Sequence, residues 1–133
     1  MRPWMRLALA LIVFGHAFIY VRIGSMLPGA VAGWRGRSWL LGGTMAARPL
    51  ASLSLVIHVL AGALLLICAI AIAVAPWISG GWWPALPIAG SVLGLAAFAV
   101  FWDGHAFVEQ GGIGAVVSLL LLLGASLFPA AFG

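Results

Sequence analysis

Lysine is absent from this 133-residue chain and acids nearly so: two carboxylates, Asp103 and Glu109, stand against six arginines. Charged residues make up 6% of the sequence, where an ordinary soluble domain carries about a quarter. With 65% hydrophobic residues and a mean hydropathy of +1.26, the chain has too few polar groups to clothe an exterior in water, and lipid is the solvent that fits. The single cysteine, Cys68, excludes an intrachain disulfide, and its setting between Leu64 and Ala75 reads as a small buried hydrophobe. There is no His-Glu-x-x-His, no nucleophile elbow and no Cys/His cluster at ligand spacing, so hydrolytic and metal-dependent catalysis draw no support. A non-enzymatic role is the expectation.

The net charge of +4 does not point to nucleic acid, whose partners gather basic residues on one soluble face. Here Arg2, Arg6, Arg22, Arg35, Arg37 and Arg48 flank or join apolar runs in the first part of the chain, which is a topology signal. Four such runs are legible, near 7–23, 50–77, 85–102 and 112–128. The first is roughly 26 Å long as a helix, just enough to span. Its arginine-bearing start and the later triplet Ala30, Val31, Ala32 also resemble a secretory signal, but the run is expected to persist as a span. Pro49 suits the first turn of the second run, and Pro129 closes the fourth. The expected fold is therefore a single all-α domain, a four-transmembrane-helix bundle.

Gly90 with Gly94, and Gly114 with Ser118, have the spacing that lets membrane helices approach closely. The 24–49 connection mixes Trp34, Trp39, Leu40 and Leu41 with Arg35 and Arg37, and is expected to lie along the membrane interface. Counting Arg22, Arg35, Arg37 and Arg48 against Arg2, Arg6 and the amino terminus places this connection in the cytoplasm.

The histidines carry the functional expectation. His16 and His58 lie roughly 10 and 12 Å below the same membrane face, level with each other if their helices are antiparallel neighbours. The third-to-fourth connection, with Asp103, His105 and Glu109, emerges on that face too. Ionisable groups in membrane helices usually face the bundle interior or a wet cavity. A polar vestibule of His16, Tyr20, Arg22, Arg48, His58, Asp103, His105 and Glu109 is the predicted ligand site. Three chemistries compete for it: ligation of haem b or a chlorophyll-type pigment by His16 and His58, a proton relay or quinone-head site, and plain structural contacts within an accessory subunit. Asp103, His105 and Glu109 could also hold a surface metal.

The segment Arg6 to Tyr20 (RLALALIVFGHAFIY), the later Arg48-Pro49-Leu50 and the Phe101-Trp102-Asp103 that ends the third run resemble DoxX-like small four-helix bacterial membrane proteins. In that family the pair is His-Gly or Gly-x, and here it is Gly15-His16. The resemblance implies a bacterial inner-membrane location, association with other membrane subunits and, in some members, a link to quinone-dependent electron transfer. It implies no catalytic residue.

Overall fold

The computed structural model describes residues 2–25, 38–74, 85–102, 104, 107–108 and 110–128. These form four helices, α1 (Pro3–Ser25), α2 (Ala47–Val74), α3 (Ala85–Phe101) and α4 (Gly112–Leu127), with no strand among the described residues. Pro3 takes the first helical position of α1, where its missing N–H costs nothing, so the helix starts four residues earlier than hydropathy alone suggests. Arg2 closes that turn by accepting from the amides of Met5 and Arg6.

The chain runs up and down, with α1 against α2, α2 against α3 and α3 against α4, while α1 meets α4 only sparsely. Leu50 packs with Ala97 and Phe101 in one small core. The larger core gathers Val13, Ala17 and Tyr20 of α1, Ala61, Leu65, Cys68 and Ile72 of α2, and Leu121 and Ala125 of α4. Cys68 is fully buried there as a free thiol. Interhelical glycines set the spacing: a β-carbon on Gly62 would lie 2.7 Å from Val21 Cγ2, and one on Gly90 would lie 2.8 Å from Leu65 Cγ.

Outside this core the helices stay apolar. Leu7, Leu11, Phe18, Leu60, Leu120 and Leu127 are each half or more exposed. Two helices, α1 over Pro3–Arg22 and α2 over its whole length, are long and apolar enough to cross a membrane. α3 and α4 are equally apolar but shorter, at 17 and 16 residues.

The part of the first connection that is described is bonded to the end of α3. Ser38 Oγ donates to the Val100 carbonyl, Trp39 Nε1 to the Ala99 carbonyl, and the Trp39 amide to the Trp102 carbonyl at 3.0 Å. A helix leaves its last carbonyls without partners, and residues 38–39 supply donors at that end of α3. Trp34, Arg35 and Arg37, the rest of the expected interfacial stretch, lie outside the described residues.

Gly15 is the counter-example to the packed glycines, for it sits mid-helix and exposed with nothing within 4 Å of an added β-carbon. Gly15→Ala is expected to stabilise the protein by up to about 1 kcal/mol through helix propensity alone. Unfolding titrations of the two proteins in the same detergent check this.

Candidate functional site

Tyr20 is the centre of the polar interior. It is 5% exposed and touches every helix. Its ring meets the His16 imidazole edge-on at 4.8 Å and the His58 imidazole at 5.9 Å. Its hydroxyl lies 2.8 Å from Ser118 Oγ on α4 and is seated against the bare backbone of Gly94 on α3. His16 Nε2 lies 2.9 Å from the same Ser118 oxygen.

Ser118 has one proton and two lone pairs. It therefore donates to one neighbour and accepts from the other. With Nε2 of His16 unprotonated, the chain runs Tyr20 O–H to Ser118 to His16. With Nε2 protonated, every bond in it reverses.

His58 stands at the side of this chain. Its Nδ1–H donates to the Ser54 carbonyl at 2.8 Å, with Ser54 Oγ 3.3 Å from the same nitrogen. A carbonyl can only accept, so Nδ1 carries the proton and neutral His58 keeps a lone pair on Nε2. Its ring continues to Phe101 at 6.0 Å. A second aromatic set, Phe98, Trp102 and Phe107, closes the connection end with ring separations of 5.3–6.4 Å.

His16 and His58 are thus both interior, at 4% and 7% exposure, and both meet Tyr20. Arg22 and Arg48 are exposed, and neither lines the cavity beside Tyr20. Asp103, His105 and Glu109 lie outside the described residues, and so does the surface metal site read from them. Among the described residues no three His, Cys, Asp or Glu side chains group to hold a metal.

The open vestibule expected from the sequence gives way, among these residues, to a packed node. The space beside it is a cavity of about 10 Å³, lined by Ile19, Tyr20, His58, Phe98, Gln110, Gly111 and Gly114. Such a volume holds roughly one water molecule. A haem or chlorophyll ring does not fit between His16 and His58, because the Tyr20 ring occupies that ground and His16 Nε2 is already bonded to Ser118. A quinone ring finds no room there either.

Two members of the node were not legible as such. Ser118 and Gly94 stand out in the sequence only as small residues at packing intervals, a pattern that marks close approach without saying what approaches. The one signal available was that Ser118 is a small residue able to hydrogen-bond. Ser91 shows that this signal is ambiguous: its hydroxyl is equally buried yet has no hydrogen-bond partner among the described residues.

The two serines give opposite expectations. Ser118→Ala leaves two buried groups short of a partner and should cost about 1–3 kcal/mol. Ser91→Ala removes an unsatisfied hydroxyl and should be neutral or stabilising. Comparing the two unfolding midpoints tests the network; equal losses would contradict it.

Comparison with known protein families, characterised proteins and solved structures finds no match to this chain.

Proposed function

We propose that the protein is a small integral membrane protein whose four helices all span the bilayer, and that it serves as a non-enzymatic accessory or assembly subunit of a larger membrane complex. The observation that carries this reading is the inversion of the fold. Large apolar side chains cover the outside, while the buried polar groups of α1 and α4 are spent on one another. A bundle whose central polar groups bond one another and whose exterior is apolar offers its surface to partners. The resemblance to DoxX-like proteins supports the bacterial inner membrane, and the arginine distribution supports a cytoplasmic 24–49 connection.

Mild detergent extraction of a tagged chain from its own host tests the role. Co-purification of defined membrane subunits is the expected result. A pure, solitary protein with a Soret band that disappears in His58→Ala would overturn it. Topology is tested separately with Thr44→Cys, exposed on the connection, while native Cys68 is buried and silent. Labelling of residue 44 only after the cytoplasmic face is opened is the expected outcome.

A second reading, a part in quinone-linked electron transfer, is favoured by the Tyr20–Ser118–His16 chain. Movement of the Tyr20 proton to Ser118, and of the Ser118 proton to His16 Nε2, transfers one proton along it. A quinone on this reading binds outside the node.

A further inference from the structure

The cavity beside the node has a chemical polarity that neither reading uses. On one side stands His58, more than nine-tenths buried, with Nδ1 committed to Ser54 and a lone pair left on Nε2. On another stands the start of α4. Gly114 is the third residue of that helix, so its amide belongs to the set that helices leave without an intrahelical acceptor. The N-cap residue is Gly111, in the left-handed region at φ 97°, and no side chain caps the turn. The cavity is thus lined by His58, which keeps an acceptor nitrogen, on α2, by Gly114, at the positive end of a helix dipole, on α4, and by Gln110, and it has volume for one small molecule.

We propose that this cavity is a binding site for a single water molecule that donates to His58 Nε2 and accepts from the Gly114 amide. Water matches the site because it presents donor and acceptor together in the space of one oxygen atom. The bound molecule ties α2 to α4, which face each other across the bundle. It also divides the histidines into a hydrated one, His58, and a dry one, His16, whose Nε2 is held by Ser118. The site stands whether or not the chain is an accessory subunit, since it depends only on the interior of the bundle.

Nuclear magnetic resonance of the full chain in lipid nanodiscs tests it. Magnetisation transfer from water to the Gly114 amide, together with an Nδ1-protonated His58, is the expected result. His58→Leu should abolish the transfer. An Nε2-protonated His58, a Gly114 amide that receives nothing from water, or a transfer that survives His58→Leu each overturns the site. If His58→Leu fails to fold, the tautomer and the Gly114 transfer in the native protein decide the matter alone.

Discussion

Tyr20→Ala is expected to be the most damaging single truncation in the protein, with a loss of about 3–5 kcal/mol, the range seen for buried aromatic-to-alanine changes. The side chain is 5% exposed, belongs to the main core, and lies in contact with two imidazole rings. Its removal opens a cavity where α1, α2, α3 and α4 converge and strips Ser118 of one partner. Tyr20→Phe separates these effects, because it keeps the ring and loses only the hydroxyl. A cost of about 1–3 kcal/mol is expected for it. Steric-trapping or denaturant unfolding of all three proteins makes the comparison. Similar losses in both variants would show that the hydroxyl, not the ring, holds the bundle.

Gly94→Ala is expected to cost about 2–3 kcal/mol, towards the upper end for overpacking, although alanine is the better helix former. A β-carbon there would run into the Tyr20 hydroxyl, lie 2.6 Å from Tyr20 Cζ, and lie 3.0 Å from Ser118 Oγ. The tyrosine is pinned by two rings and one hydrogen bond, so it has nowhere to retreat. Gly90→Ala provides the control. Its β-carbon meets the Leu65 side chain at 2.8 Å, a less severe approach to a group that holds no hydrogen bond, and the loss there should be smaller. If Gly90→Ala proves the more harmful, the seating of Tyr20 on Gly94 is wrong.

These glycines also show where the sequence stops being informative. The four helices are readable because lipid-compatible runs and flanking Pro49 and Pro129 are local features. His16 and His58 stand out because an ionisable ring in an apolar run is conspicuous. Their partners are not local. Ser118 is 102 residues from His16, and nothing in a stretch of leucines marks which small residue will meet which ring. Axial depth is all that groups Arg22 and Arg48 with the histidines in the sequence. Depth leaves the helical face undetermined, and both proved to be exposed. The stitching of Ser38 and Trp39 to the end of α3 is likewise invisible, because a tryptophan near a helix end reads equally well as a lipid anchor.

The long separations within the node set an order of assembly during synthesis. If α1 enters the bilayer as it emerges, His16 and Tyr20 arrive without the serine that will join them. At roughly 5–20 residues per second, about 5–20 s pass before the ribosome delivers residue 118. The first helix must shelter two polar rings through that interval, and the last helix ends the wait. A nascent chain stopped short of α4 is therefore an intermediate in which His16 and Tyr20 still lack the Ser118 hydroxyl.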